Sequence, residues 1–281
     1  MSLQSLPDLM IEPIVRMSLA EDLGRAGDVT AALIDADARF NGVFAARKDG
    51  RIAGLACARL TILAMDPTAT FQIVTSDGAD AAPGAVIAKV EANARALLTA
   101  ERTALNLLGR LSGVATLTRA YVRAVEGTGA AIVDTRKTTP GLRALEKYAV
   151  RCGGGVNHRF GLDDAILIKD NHVAACGGIA AVMQRAQASA GHLTPIELEV
   201  DCLDQLEAAI PFAPAVILLD NFAVDDLRKA VDMVGGRIKL EASGGVSLET
   251  VRAIAKTGVN AISVGALTHS APTLDIGLDD A

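Results

Sequence analysis

Residues 134–172 carry the side chains best suited to chemistry. Two apolar runs, 130–133 and 165–168, each end in polar residues, and Gly-rich and Thr-rich turns lie between them. Arginine recognises carboxylate and phosphate with a planar fork of donors, and lysine adds a point charge. Separate surface salt bridges would not need so many cations at turns and strand ends. The pattern therefore predicts a site for a multiply anionic substrate, formed by Arg136, Lys137, Arg159 and Lys169.

Two carboxylates follow on the next apolar runs, Glu199 within residues 196–200 and Asp220 just after 216–219. Mg²⁺ commonly takes one or two carboxylates together with substrate phosphates. Glu199 and Asp220 could therefore bind Mg²⁺. They could equally form ion pairs with the neighbouring cations, and the sequence alone leaves both interpretations open.

The glycines near the end of the chain predict a phosphate site. Ser243-Gly244-Gly245 precedes a helical pattern over 247–257, and Gly265 follows the last apolar run. Backbone N–H groups and helix N-termini at such places bind phosphate in α/β barrels. A lone Ser-Gly-Gly is more often only a turn, but its position at the end of the strand series favours a phosphate site.

The histidines allow two interpretations each. His158 follows three glycines, and His172 follows Asp170-Asn171, so each could donate a hydrogen bond to a substrate or hold a loop. His269 could approach a phosphate or cap a helix.

The first part of the chain predicts an α+β domain over residues 1–112. A helical pattern covers 11–23, and β-like runs at 43–47, 51–57, 70–75 and 86–91 are separated by turn dipeptides such as Asp49-Gly50. Such turns suit an antiparallel sheet. A long helix is expected from 95 to about 125, with a kink or break at Ser112-Gly113.

The remainder, residues 113–281, alternates apolar runs and helical patterns. The runs are 130–133, 165–168, 196–200, 216–219, 238–240 and 261–264. Alternating strands and helices imply a parallel sheet with right-handed crossovers, and polar residues at strand ends mark the active face of an α/β barrel. The fold class is thus α/β: an N-terminal α+β sandwich domain, then an incomplete, TIM-like barrel and a C-terminal tail.

Composition narrows the function. The 281 residues are 51% hydrophobic and carry a net charge of −6, which argues against nucleic acid as the main ligand. The four cysteines are far apart and suggest reduced thiols rather than a disulfide framework. No run of eighteen apolar residues and no secretory signal is evident, so a soluble cytoplasmic protein is expected.

These segments together resemble the quinolinate phosphoribosyltransferase family. The runs Asp-Thr-Arg-Lys-Thr at 134–138 and Lys-Asp-Asn-His at 169–172 are specific in combination, and matching segments cover nearly the whole chain in order. The resemblance implies an N-terminal α+β domain plus an incomplete barrel. It also implies that quinolinate and phosphoribosyl pyrophosphate give nicotinate mononucleotide, pyrophosphate and CO₂, with Mg²⁺, in de novo NAD synthesis.

The resemblance further assigns site residues. The two quinolinate carboxylates meet Arg102, Arg136, His158 and Arg159, with Lys169 close by. The phosphoribosyl donor meets Lys137, Lys169, Glu199 and Asp220, and these four are the expected catalytic residues. Its 5′-phosphate rests on Ser243, Gly244, Gly245 and Gly265, and His269 belongs to a further matching segment. A homodimer is implied in which Arg102 reaches the partner's site.

Three alternatives remain. A paralogous family associated with molybdate uptake shares the Thr-Arg-Lys-Thr and His-Arg segments but resembles the chain less at 167–172. Nicotinate phosphoribosyltransferase holds only one carboxylate, so the extra cations argue against it. A non-catalytic phosphometabolite-binding barrel could dispense with Glu199 and Asp220.

Overall fold

The computed structural model describes residues 3–281, which form two compact units. The first unit combines the chain up to Arg119 with Thr138–Gly154 and Ala266–Ala281, and the second combines Ala120–Lys137 with Gly155–Gly265. Neither unit is one continuous stretch. The predicted domain boundary between residues 112 and 113 stays a prediction, because each compact unit contains residues from both sides of it.

The helices of the described chain are numbered in order: α1 (Asp8–Leu23), α2 (Leu55–Met65), α3 (Ala94–Ala124), α4 (Arg143–Cys152), α5 (Asp170–Cys176), α6 (Ile179–Ser189), α7 (Leu203–Ala209), α8 (Val224–Val234), α9 (Val251–Ala255) and α10 (Ala266–His269). Short 3₁₀ turns occupy Ala31–Leu33 and Ile210–Phe212. Within residues 3–281, no helix combines the length and the apolarity that crossing a bilayer requires.

The strands are β1 (Arg39–Ala46), β2 (Gly50–Arg51), β3 (Thr70–Ile73), β4 (Asp80–Ala81), β5 (Val86–Asn93), β6 (Ala131–Val133), β7 (Ile166–Ile168), β8 (Ile196–Val200), β9 (Val216–Asp220), β10 (Lys239–Ser243), β11 (Ala261–Ser263) and β12 (Ile276–Asp280). They form a four-stranded sheet, a six-stranded sheet and the short pair β2–β4.

The first unit is built on the antiparallel sheet β12-β1-β5-β3, as its turn dipeptides predict. Its core is aliphatic, with Phe44, Ile62, Ile87, Leu97 and Leu108 almost completely buried. The C-terminal tail is not free of structure, because β12 pairs with β1 along its whole length.

The predicted strand over 51–57 is wrong beyond its first residue. The chain turns at Gly54, where φ is 102°, and Leu55 begins α2. A side chain at Gly54 would collide with Leu111, since its Cβ would lie 2.7 Å from Leu111 Cδ1. The leucines and alanines that follow are good helix formers, so helix continues to Met65.

The predicted break at Ser112-Gly113 is wrong, because α3 runs unbroken through both residues. Ser112 Oγ accepts a hydrogen bond from the Ala53 N–H at 3.1 Å. Gly113 allows the backbone at Pro272 to pack directly against α3, since a Cβ at Gly113 would lie 2.0 Å from the Pro272 carbonyl oxygen. These small residues serve packing and do not end the helix.

Six parallel strands in the order β6-β11-β10-β9-β8-β7 form the sheet of the second unit. All six predicted apolar runs are strands, with shifts at their ends, and helices occupy the connections. The barrel is incomplete as expected, because β6 and β7 do not pair; an isolated bridge from Val156 to Val133 extends the sheet beyond β6. On β8, Leu198 and Val200 are completely buried, and alternation places Glu197 and Glu199 on the other face.

Candidate active site

A cavity of about 260 Å³ lies in the second unit, where its parallel strands end. Every strand of this sheet contributes a residue at or near its carboxyl end or from the loop that follows, as in α/β barrels generally. The lining consists of Thr135, Arg136, Lys137, His158, Arg159, Leu167, Lys169, Glu199, Leu218, Asp220, Glu241, Ser243 and Ser263. All four predicted cations are therefore brought together.

The two arginines of this cavity have donors without an acceptor. Among the described residues, Arg136 Nε and Arg159 Nε are buried and make no hydrogen bond. Arg159 is held from one side, since its Nη1 donates to the Ala165 carbonyl at 2.9 Å. Burial, and next the charge of Arg136, lower the pKa of Arg159. The buried Nε atoms of these two half-buried, mutually repelling arginines need an acceptor that the described protein groups do not supply, so an anion is expected there.

Lys169 is already paired. It precedes α5, and its Nζ lies 2.5 Å from Glu199 Oε2, a carboxylate that is only 8% exposed. The backbone N–H of Lys169 donates to His172 Nδ1 at 2.9 Å, so this histidine shapes the loop. Ion pairing, one of the two interpretations for Glu199, is thus observed in the absence of substrate.

Glu199 and Asp220 line the same cavity from neighbouring strands. Asp220 Oδ2 accepts a hydrogen bond from Asn221 Nδ2 at 2.7 Å, and Asn221 has a positive φ of 56°. These residues offer only oxygen donors, the ligands that Mg²⁺ prefers, and two carboxylates suffice when substrate phosphates complete the coordination. The donor set therefore fits Mg²⁺.

His158 lies in a cluster of buried acids. Its Nε2 is 2.9 Å from Glu197 Oε2 and 3.8 Å from Glu241 Oε1, and its Nδ1 accepts the Arg159 backbone N–H at 2.7 Å. Completely buried Asp134 accepts the His158 backbone N–H at 2.8 Å. Burial, and next the charge of Glu197, raise the pKa of Glu241 to about 7.

The predicted phosphate loop keeps its glycine geometry. Gly244 and Gly245 have φ values of 93° and 58°, and a Cβ at Gly244 would lie 2.1 Å from Asn221 Oδ1. Ser243, just before them, lines the cavity, and Gly265 follows β11. Only glycine is compatible with this approach of the loop to Asn221.

Arg102 and His269 belong to the first unit. Arg102 lines a cavity of about 280 Å³ there, together with Asp22, Asp28 and Thr99. His269 ends α10, and its Nδ1 lies 2.6 Å from Ser270 Oγ. Neither residue is among those described as lining the cavity of the second unit.

The sequence pattern predicts no role for Glu197 or Glu241. Glutamates at 197 and 199 are spaced by two on one strand, which places both on the same face. That spacing was the available signal for Glu197. The lining residues Thr135, Leu167, Leu218 and Ser263 were likewise not singled out.

The fold and the cavity define a class: an α/β-barrel protein whose strand ends bind multiply anionic small molecules. The chain belongs to the quinolinate phosphoribosyl transferase family, since the model of its N-terminal domain matches residues 28–112 and that of its C-terminal domain matches residues 114–279.

Similar proteins agree over nearly their full length. The chain is 49% identical over 271 residues to the nicotinate-nucleotide pyrophosphorylase (carboxylating) of Mycobacterium leprae, covering 94% of this chain and 95% of the relative. It is 44% identical to a probable enzyme of the same name from Bacillus subtilis, covering 96% and 93%. The solved structure of the nicotinate-nucleotide pyrophosphorylase from Francisella tularensis superposes with a TM-score of 0.94 at 38% identity, covering 100% of this chain and 99% of that one.

Proposed function

We propose that this chain transfers the phosphoribosyl group of phosphoribosyl pyrophosphate to quinolinate and releases nicotinate mononucleotide, pyrophosphate and CO₂. The observation that carries the proposal is the pair of buried Nε donors on Arg136 and Arg159, which have no acceptor among the described residues. Quinolinate has two adjacent carboxylates, and each can accept a planar, charge-assisted pair of hydrogen bonds from an arginine.

The reaction needs no activated side-chain nucleophile. The pyridine nitrogen attacks the anomeric carbon of ribose as the bond to pyrophosphate breaks, through a transition state with positive charge on the sugar. Glu199 and Asp220 would stabilise that charge or bind ribose hydroxyls, and Lys137 and Lys169 would bind the phosphates. The carboxylate next to the ring nitrogen then leaves as CO₂, and the ring carbon takes a proton from water.

Mg²⁺ is part of the proposal, with Glu199 and Asp220 as the residues that would hold it. The ion would neutralise the departing pyrophosphate. Lys169 would then turn from Glu199 to the phosphates. The Ser243–Gly245 loop and Gly265 would receive the 5′-phosphate through backbone N–H groups, as loops after the last strands of barrels do.

The direct test is an assay of the purified protein with phosphoribosyl pyrophosphate, Mg²⁺ and either quinolinate or nicotinate. We expect quinolinate to be consumed with one CO₂ released per nicotinate mononucleotide. Equal or better turnover with nicotinate would contradict the proposal, because nicotinate lacks the second carboxylate that the paired arginines would hold.

We further propose a homodimer in which Arg102 serves the partner's cavity. Arg102 lies on α3 and lines one cavity of the first unit together with Asp22 and Asp28. The alternative is an ion pair within its own chain. A cytoplasmic location completes the proposal, and cell fractionation tests it.

Mixed dimers test the shared site. Arg102→Ala and Lys137→Ala should each be almost inactive alone. After unfolding and remixing in equal amounts, about half of the dimers should be hybrids with one intact site of two, so about a quarter of wild-type activity should return. If hybrids form and no activity returns, Arg102 acts within its own chain.

A further inference from the structure

We propose that Glu197 is a positioning residue for this reaction: it fixes the His158 ring, and through that ring it fixes Arg159 for the quinolinate carboxylates. The inference rests on the function proposed above.

The contacts of the His158 ring define its state. Nδ1 accepts the Arg159 backbone N–H at 2.7 Å, and a ring nitrogen that accepts a hydrogen bond carries no proton. The proton of the ring is therefore on Nε2, which lies 2.9 Å from Glu197 Oε2. The ring is a neutral Nε2–H tautomer with both nitrogens engaged by the protein.

The backbone around this ring is fixed as well. Asp134 Oδ1 accepts the His158 N–H at 2.8 Å, and Asp134 Oδ2 accepts Asn157 Nδ2 at 2.6 Å. The Arg159 side chain is held by the Ala165 carbonyl at 2.9 Å. The Nε2 atom of His158 is the part of the ring that these contacts leave unrestrained, and Glu197 binds it.

The hydrogen bond to His158 is the contact through which Glu197 can position residues of the cavity. Its side chain is 11% exposed, and it is not among the described residues that line the cavity. Glu241 cannot replace it, because the 3.8 Å between its Oε1 and His158 Nε2 is too long for a hydrogen bond. His158, Glu197 and Glu241 offer ligand atoms within 4.8 Å of one another, but a metal would need the Nε2 lone pair where this tautomer carries a proton. With Glu241 and a metal excluded as partners of Nε2, the Glu197 carboxylate is the group that orients the His158 ring.

The test compares Glu197→Ala with Glu197→Gln, using Glu207→Ala on the exposed face of α7 as the control. Glu197→Ala should raise the KM for quinolinate about tenfold, the effect of one lost hydrogen bond to a charged group. The KM for phosphoribosyl pyrophosphate and kcat should stay within about twofold of wild type. Glu197→Gln should restore most of the affinity, because its amide oxygen accepts the same Nε2–H.

A second measurement needs no substrate. Long-range ¹H–¹⁵N spectra of ¹⁵N-histidine-labelled protein at pH 7 should show His158 as the neutral Nε2–H tautomer in the wild type and in Glu197→Gln, and as a mixture in Glu197→Ala. An imidazolium or an Nδ1–H tautomer in the wild type would overturn the proposal. So would equal losses in kcat and both KM values for Glu197→Ala and Glu197→Gln, which would indicate a folding defect. If the wild type does not turn over quinolinate, the proposed function is wrong. The spectra would still test the His158 tautomer, because they need no substrate.

Discussion

Glu199 and Glu241 lie at the same level of the parallel sheet, because each pairs in register with Leu218 on the strand between them. Their surroundings differ. Glu199 contacts Lys169 Nζ at 2.5 Å, whereas burial and the nearby Glu197 raise the pKa of Glu241 to about 7. We call Lys169, Glu199 and Asp220 the lysine side of the cavity, and Arg136, His158, Arg159, Glu197 and Glu241 the arginine side.

The difference shows how the strand ends of one sheet can provide separate binding environments for two substrates. On the lysine side, Lys169 and Glu199 are already paired, so a phosphate or a metal must exchange partners to bind them. On the arginine side the buried Nε atoms of both arginines have no acceptor among the described residues, and burial favours the protonated form of Glu241. Positive charge is left over there, and a dicarboxylate can neutralise it without displacing a protein group.

The largest effect should follow removal of a guanidinium from the arginine side. Arg159→Ala should lower kcat/KM for quinolinate about a hundredfold or more, because two charge-assisted hydrogen bonds are worth roughly 1.5–3 kcal/mol each. Arg159→Lys should recover little, since an ammonium lacks the planar fork. Steady-state kinetics with Arg185→Ala on exposed α6 as the control measures this. Activity near wild type in Arg159→Lys would mean that charge alone is needed.

On the lysine side, Lys169→Ala should lose about tenfold to a hundredfold in kcat/KM for phosphoribosyl pyrophosphate, the cost of one charge-assisted contact. Lys239→Ala is the matched control. Alternation places Lys239 on the same face of β10 as Glu241, but it is exposed and begins the strand, at the opposite end from Ser243. Similar kcat/KM values for the two variants would show that nearness to the strand's carboxyl end does not decide function.

Much of this arrangement is predictable from sequence because it depends on local pattern. Apolar runs predicted all six strands, and the polar residues just after them predicted the cations and carboxylates of the cavity. The partners were not predictable, because Glu197 and Glu241 lie on β8 and β10 and meet His158 from a loop far along the chain. The mistaken strand over 51–57 and the mistaken break in α3 have a similar cause: Gly54 and Gly113 are required by Leu111 and Pro272, which only the folded chain brings close.

A smaller effect should appear in the metal requirement. Asp220→Asn keeps the shape of the side chain but removes a charge, so it should raise the Mg²⁺ concentration for half-maximal rate severalfold and lower kcat. The KM for quinolinate should change little, because quinolinate is bound from the arginine side. Mg²⁺ titrations with Asp232→Asn, an exposed aspartate of α8, as the control test this. An unchanged Mg²⁺ dependence would show that Asp220 does not hold the metal.

The last expected effect is one of stability rather than of turnover, at Glu241. Its pKa in the folded protein is about 7 against an ordinary value of 4.5, so the folded state holds a proton that the unfolded chain releases. Stability from this group is complete below about pH 4.5 and is lost as the pH rises through 7. Glu241→Gln mimics the protonated acid and cannot titrate. The variant should therefore gain on the wild type by about 3 kcal/mol in the free energy of unfolding between pH 4.5 and 8.

Urea unfolding at several pH values measures this gain, with Glu207→Gln on exposed α7 as a control that should show no trend. A parallel pH dependence in wild type and Glu241→Gln would place the proton elsewhere in the cluster, on Glu197 or His158. The neutral His158 tautomer would then be in doubt as well, because a proton shared with Glu197 changes which atom donates at 2.9 Å. The pH dependence of stability thus also tests whether the positive charge of the arginine side lies on the guanidinium groups alone, with none on His158.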